Sequence, residues 1–83
     1  MALRVDWSDE ARADVRAFDR PTAMRIFDGV LRFVRTGRGD VQEIKGDAAG
    51  RYRLRVGDYR AFFTYVVGGV RIDRVKHRSE AYR

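Results

Sequence analysis

The last third of the chain carries positively charged and proton-transferring side chains at spacings that place them on neighbouring strands. They are Arg53, Arg55, Arg60, Lys76, His77, Arg78 and Tyr82. Cross-strand neighbours lie about 5 Å apart, and cations at that distance repel one another unless an anion binds among them. Phosphoryl transfer suits such a group, because it requires positioning and charge stabilisation more than a covalent nucleophile from the protein. An RNA substrate would bring its own nucleophile, the 2′-hydroxyl.

Motifs of other chemistries are missing from the sequence. It has no P-loop, HExxH or GxSxG pattern, no cysteine and one histidine. Disulfides and thiolate metal sites are therefore excluded, and a single histidine argues against a structural zinc site. We expect no metal and no other cofactor.

The charge is distributed unevenly along the chain. Residues 1–50 contain nine Lys/Arg and nine Asp/Glu, whereas residues 51–83 contain nine against three, so the whole net charge of +6 lies in the second part. Most of the cations are arginine, which binds phosphate through a planar bidentate fork. The asymmetry is typical of a surface that meets a polyanion, although a solvated basic surface fits the charge alone equally well.

One strand and two helices are predicted in the first half. Residues 3–7 alternate apolar and polar side chains, as a half-buried strand does. Ser8 is a suitable N-cap for a helix ending near Phe18, and Pro21 fits the first turn of a second helix that ends before Gly37. The apolar stripe of the second helix predicts its buried face. That stripe consists of Met24, Phe27, Val30, Leu31 and Val34.

Three strands joined by tight turns are predicted in the second half. Residues 51–56 alternate strictly, with arginines on one face and apolar side chains on the other. Gly57-Asp58 makes a two-residue turn to a strand over 59–67, and Gly68-Gly69 precedes the last strand. The irregular alternation of that last strand indicates a bulge.

The predicted fold class is α+β, in the order β-α-α-β-β-β. We expect an antiparallel sheet with a helical hairpin packed on one face, forming a single domain over residues 1–83. The arginines at positions 53 and 55 then project from the opposite, open face of the sheet.

Two segments of the second half resemble the RelE family of toxins from type II toxin–antitoxin systems. They are residues 50–60, GRYRLRVGDYR, and residues 77–83, HRSEAYR; Ile44-Lys45-Gly46 matches as well. With the order of elements, the resemblance covers nearly the whole chain. It is more specific for the superfamily than for an activity, because the same fold includes ParE-like relatives that poison DNA gyrase.

The resemblance implies a ribosome-dependent mRNA endonuclease that uses attack by the 2′-hydroxyl and leaves a 2′,3′-cyclic phosphate. Arg53 and Arg55 take the places of two strand cations, often lysines in the family, that hold the phosphate and stabilise the transition state. Arg60 is similar to an arginine that binds the phosphate. Because arginine stays protonated, none of the three can act as a base.

The implied proton-transfer groups lie near the end of the chain. Tyr82 matches a tyrosine that orients or deprotonates the 2′-hydroxyl, and the imidazole of His77 can also transfer a proton. Arg78 resembles an arginine near the end of the last strand, unless a gap in the alignment places Lys76 there. Further substrate contacts are expected from Lys45, Arg51, Lys76 and Arg83.

The implied partners are a cognate antitoxin, the ribosome and mRNA, with operator DNA bound only through the antitoxin. The antitoxin would wrap the toxin and oppose its basic face with acidic side chains. We expect no membrane association, because the longest mostly apolar run, over 61–70, is too short to span a bilayer. The N-terminus lacks the apolar core of a signal peptide, so a cytoplasmic protein is expected.

Alternative interpretations of the same residues remain open. The chain can be a gyrase inhibitor or a plain nucleic-acid-binding module, and its strand arginines can be merely the polar face of a sheet. Four aromatic side chains are candidates for an RNA-stacking platform: Trp7, Phe62, Phe63 and Tyr65. Strand alternation places at least half of them in the core, and we expect Phe63 and Tyr65 to be structural.

Overall fold

The computed structural model describes residues 4–46 and 50–80 as two helices and a five-stranded sheet. In chain order the elements are β1 (Arg4–Trp7), α1 (Asp9–Arg16), α2 (Arg20–Thr36), β2 (Asp40–Glu43), β3 (Arg51–Val56), β4 (Tyr59–Val66) and β5 (Gly69–His77). The strand order is β1-β5-β4-β3-β2, with β1 parallel to β5 and the other pairs antiparallel. The predicted α+β class with a helical hairpin on one face is confirmed.

Local signals at the helix ends explain where the two helices begin and end. Ser8 caps α1, its Oγ accepting the N–H of Ala11 at 3.0 Å, and Asp19 caps α2 by accepting the N–H of Thr22 at 3.3 Å. Gly37 ends α2 in the left-handed region with φ +70°, a conformation that glycine adopts without steric cost. These caps agree with the sequence pattern.

The sheet differs from the prediction in one added strand and in one pairing. The added strand is β2, whose apolar content is Val41 alone; it forms because the edge of β3 supplies its hydrogen-bonding partner. The sheet is mixed rather than purely antiparallel, because β1 pairs with β5 in the parallel direction. The second turn is Val67-Gly68 rather than Gly68-Gly69. Gly69 belongs to β5, where an added Cβ would meet the carbonyl oxygen of Arg4 at 1.8 Å.

The predicted bulge in the last strand is confirmed. Phe62 pairs with Arg74 and Phe63 with Ile72, so Asp73 is an extra residue in β5. Its carbonyl accepts the hydroxyl of Ser8 at 2.8 Å, which ties the bulge to the start of α1.

The hydrophobic core lies between the helical hairpin and one face of the sheet. Its buried members are Ala11, Val15, Ile26, Val30, Phe33, Val34, Leu54, Ala61, Phe63, Val70, Ile72 and Val75. The stripe predicted for α2 is partly wrong, because Met24 and Leu31 are 51% and 49% exposed, whereas Ile26 and Phe33 are buried. Within residues 4–46 and 50–80, no helix has the length and apolar character needed to traverse a bilayer.

Candidate functional site

Three cations form a row across the open face of the sheet, the face away from the helices. Arg55 of β3 pairs with Arg60 of β4, which in turn pairs with Lys76 of β5. Directly paired side chains have Cβ atoms about 4.5–5.5 Å apart. The strand register therefore assembles this cation row from residues 21 positions apart in the sequence.

A cavity of about 180 Å³ adjoins the cation row and is called the basic cleft below. It is lined by Asp40, Gln42, Arg53, Arg55 and Arg60. Three arginines and one carboxylate leave two net positive charges around it. A cleft of this composition favours an anion such as a phosphate group.

The arginines of the basic cleft differ in how far burial and hydrogen bonds restrain their side chains. Arg60 is 7% exposed and donates hydrogen bonds to the carbonyls of Gly57 at 3.2 Å and Tyr59 at 3.0 Å. Arg55 is exposed, with Nε 3.4 Å from the Gly57 carbonyl and Nη1 3.9 Å from Asp40 Oδ2. Arg60 is thus pre-organised by the main chain, whereas Arg55 can move onto a ligand.

Arg53 completes the basic cleft from the side of the edge strand. It pairs with Gln42 of β2, and its Nη2 donates a hydrogen bond to the Gln42 side-chain carbonyl. The added strand β2 therefore builds one wall of the cleft, which the sequence pattern did not indicate. Gln42 and Asp40 are the site residues that sequence reasoning missed.

His77 lies on the other face of the sheet, although Lys76 beside it belongs to the cation row. It pairs with Tyr59, with ring centroids 5.2 Å apart, and the Tyr59 ring lies 4.9 Å from that of Phe18 beside α1. Its Nδ1 accepts the Ser79 backbone N–H at 3.2 Å. The structure therefore does not bring His77 into the basic cleft.

The other predicted site residues are spread around this region. Arg78 follows β5 with an exposed side chain, and its N–H donates to the Asp58 carbonyl at 2.7 Å, beside the first hairpin turn. Arg51 begins β3, where it pairs with Thr64 of β4, two residues before Arg53 on the open face. Lys45 follows β2 and is exposed. Tyr82 and Arg83 lie outside the described residues.

An ion pair fixes α1 against β5 where β1 ends. Asp14 accepts hydrogen bonds from Arg74 Nε at 2.8 Å, from Arg74 Nη2 at 3.1 Å and from the Val75 N–H at 2.9 Å. Burial alone would raise the pKa of Asp14, but the hydrogen bonds from Arg74 and Val75 outweigh it and lower that pKa. This cation is bound to the helix layer and stands apart from the basic cleft.

The four candidate stacking aromatics occupy different places. Trp7 packs edge-on against Phe27 with centroids 4.9 Å apart, and Phe63 is fully buried, as expected of a structural residue. Tyr65 is 55% exposed on the helix side, where its ring contacts that of Tyr52. Phe62 alone of the four faces the basic side, opposite Arg53.

A larger cavity, of about 440 Å³, lies on the helix side of the molecule. Its floor is apolar, with arginines at the rim: Trp7, Arg12, Val15, Arg16, Phe18, Arg20, Ala23 and Phe27. Its arginines surround an apolar floor, whereas polar and charged side chains alone line the basic cleft, so the chemistry is assigned to the smaller basic cleft. Among the residues that the structure describes, no three His, Asp or Glu side chains come together as a metal site.

Comparison with known proteins places this arrangement in a family context. The family model for the ParE toxin of type II toxin–antitoxin systems, parDE, matches residues 5–82. A sequence comparison with curated proteins gave no match.

Several solved structures share the fold at low sequence identity. The RelBE2 toxin–antitoxin complex from Mycobacterium tuberculosis contains a chain that is 21% identical, with a TM-score of 0.83 over 94% of this chain and 100% of that one. The YoeB dimer from Staphylococcus aureus is 21% identical, with a TM-score of 0.75 over 93% and 98%. The E. coli DinJ–YafQ toxin–antitoxin complex is 13% identical, with a TM-score of 0.68 over all of both chains. These are likenesses of fold.

Proposed function

This chain belongs to the ParE toxin family of type II toxin–antitoxin systems, and from that premise we propose that it is a ribosome-dependent mRNA endonuclease. The observation that carries the proposal is the cation row beside the basic cleft, which provides several guanidinium groups for one phosphate. Stabilisation of developing negative charge by pre-organised donors is the main contribution that phosphoryl transfer requires of a protein.

In the proposed reaction the 2′-oxygen of the RNA attacks the adjacent phosphorus and the bond from phosphorus to the 5′-oxygen breaks. The products are a 2′,3′-cyclic phosphate and a 5′-hydroxyl end. One proton leaves the 2′-oxygen and one is delivered to the departing 5′-oxygen. Arg60 and Arg55 donate hydrogen bonds to the non-bridging oxygens, where charge accumulates in the transition state.

The base of this reaction is a group other than the strand arginines, since these stay protonated. The position of His77 on the helix side of the sheet argues against that residue as well. We assign the role to Tyr82, on its resemblance to the family tyrosine, with the ribosome-held RNA as the other source. Lys76 and Arg78 remain candidates for contacts to neighbouring phosphates.

The proposed partners follow from the same premise. Solved structures of similar fold include toxin–antitoxin complexes, such as RelBE2, which supports a cognate antitoxin for this chain. We propose that its acidic side chains oppose the basic cleft and that operator DNA is bound only through it. The ribosome and mRNA are the proposed targets, and the cytoplasm the proposed location.

Inhibition of DNA gyrase is the second candidate function. The matching family model carries the ParE description, and the resemblance drawn from the sequence includes ParE-like relatives that poison gyrase. A gyrase inhibitor needs a docking surface but no phosphate-stabilising cleft. The two candidates therefore differ in whether charge in the basic cleft is required.

The test is induced expression without an antitoxin, followed by mapping of new 5′ ends on several translated mRNAs. We expect growth arrest and new ends with the wild type. Arg55→Gln should reduce cleavage roughly 10²–10³-fold, as removal of one transition-state donor does. Arg71→Gln is the matched control, because it removes an exposed open-face cation that pairs with Thr64 outside the cleft. Growth arrest with intact mRNA and a DNA-damage response would instead establish the gyrase candidate.

A further inference from the structure

Phe62 is a large aromatic side chain among the charged side chains of the open face of the sheet. On this face of β4 its neighbours are Arg60 and Thr64, and its cross-strand partners are Arg53 and Arg74. It is half-buried, in contrast to Phe63 beside it, which is fully buried in the core. A strand with one solvated face normally alternates apolar and polar side chains. Phe62 breaks that pattern beside the basic cleft.

The β5 neighbour of Phe62 is drawn away from the open face. The bulge at Asp73 shifts the register at this point, and the guanidinium of Arg74 is bound by Asp14 of α1. The long side chain that pairs with Phe62 from β5 is therefore anchored toward the helix layer. This geometry favours access to the Phe62 ring from the β5 side of the open face.

Alternating cations and aromatic rings are the arrangement with which proteins bind single-stranded nucleic acid. Arg60 and Phe62 are two residues apart on one strand, a separation of about 7 Å. A ribose can span that separation between a phosphate held by Arg60 and its own or the next nucleobase. The basic cleft and the Phe62 ring thus present a phosphate site and a base site side by side.

We propose that Phe62 is a base-stacking residue that holds the nucleobase next to the scissile phosphate. This inference rests on the proposed endonuclease function and adds a base-binding surface to it. Every nucleobase has a π-face, so stacking on Phe62 orients the nucleotide without reading its hydrogen-bonding edge. Its contribution is to hold the 2′-oxygen in line with the bond that breaks.

The experiment compares four variants for cleavage of translated mRNA. Phe62→Leu should cut about tenfold more slowly, within the range measured when a base–aromatic stack is removed. Phe62→Tyr should retain wild-type cleavage, and Phe62→Met is a second non-aromatic variant should the leucine variant unfold. Tyr65→Leu is the matched control, because it removes an exposed aromatic ring of the same strand on the other face.

A second measurement reports stacking without cleavage. A short single-stranded RNA containing 2-aminopurine loses fluorescence when that base stacks, so wild type and Phe62→Tyr should quench it and Phe62→Leu should not. Equal cleavage by wild type and Phe62→Leu, with equal quenching, overturns the stacking role and leaves the endonuclease standing. A wild type that quenches through Phe62 but never cuts overturns the endonuclease alone. A wild type that does neither overturns both.

Discussion

The two faces of strands β3 and β4 differ in what fixes their side chains. On the helix-covered face Leu54, Ala61 and Phe63 are each at most 2% exposed and belong to the core cluster that includes residues of α1 and α2. On the open face the same strands present Arg53, Arg55 and Arg60, which strand register places there; hydrogen bonds hold the side chains of Arg53 and Arg60. One alternating sequence therefore serves two purposes.

Residues that stabilise the fold and residues of the proposed chemistry are separated by one position along each strand. Burial makes the helix-covered face sensitive to volume, because interior packing leaves no space to relax into. The charged side chains of the open face other than Arg60 are partly or fully exposed, so they are accessible to a ligand. Changes on the two faces should affect different measurements.

The largest expected effect is on the helix-covered face. Phe63→Ala should lower the free energy of unfolding by about 3–5 kcal/mol, the usual cost of truncating a buried phenylalanine. That is a large share of the roughly 5–15 kcal/mol that stabilises a domain. Urea unfolding of the purified chain measures it.

Its neighbour provides the control for this prediction. Phe62→Ala should change the unfolding free energy by only about 1 kcal/mol, because Phe62 lies outside the core cluster. An equal loss in both variants would mean that the open face is packed like the core, and the distinction between the faces would fail.

A smaller effect is expected where an open-face cation is anchored to the helix layer. Asp14 has a lowered pKa in the folded chain, so its stabilising contribution is present above its unfolded pKa and is lost as the pH falls through the folded pKa. The unfolding free energy should therefore decrease below about pH 4. At neutral pH Asp14→Asn should cost roughly 1–2 kcal/mol, since Arg74 is partly exposed and solvent screens the pair.

Urea unfolding at several pH values measures this contribution. The drop below about pH 4 should be smaller in Asp14→Asn than in the wild type. Asp9→Asn, an exposed residue in the first turn of α1, is the control and should follow the wild-type profile. Coincident pH profiles for wild type and Asp14→Asn would show that the Asp14–Arg74 ion pair adds nothing to stability.

Most of the fold was predictable because its signals are local. Ser8 and Asp19 begin the helices by accepting backbone N–H groups with their side chains, and Gly37 ends α2 in the left-handed region. The irregular alternation of the last strand indicated its bulge. The strand β2 was not predictable, because Val41 alone cannot define an alternation and pairing with β3 creates the strand. The buried stripe of α2 was misplaced because several helical stripes are apolar, and only tertiary contacts select Ile26 and Phe33.

The candidate site was predictable to the extent that it depends on one hairpin. Arg55 and Arg60 meet across the Gly57-Asp58 turn, and strict alternation gives their face. His77 was predicted as a site residue from its neighbourhood in sequence, yet alternation along β5 places it on the face away from Lys76. Gln42 and the Asp14–Arg74 pair depend on contacts between distant segments, which carry no local signal.

The smallest expected effect tests whether the open face acts through one cleft or through its total charge. The side chain of Arg71 is 56% exposed, and its Nε lies 3.6 Å from Asp73 Oδ1, away from the basic cleft. Arg71→Gln should therefore change the unfolding free energy by no more than about 0.5 kcal/mol. The affinity of the Arg71→Gln variant for single-stranded RNA should show the wild-type salt dependence. In Arg55→Gln the slope of log K against log salt should be smaller in magnitude by about 0.7, which corresponds to the loss of one phosphate contact. Equal slopes in the two variants would mean that RNA is attracted by the whole basic face, and the focus on the cleft would be wrong.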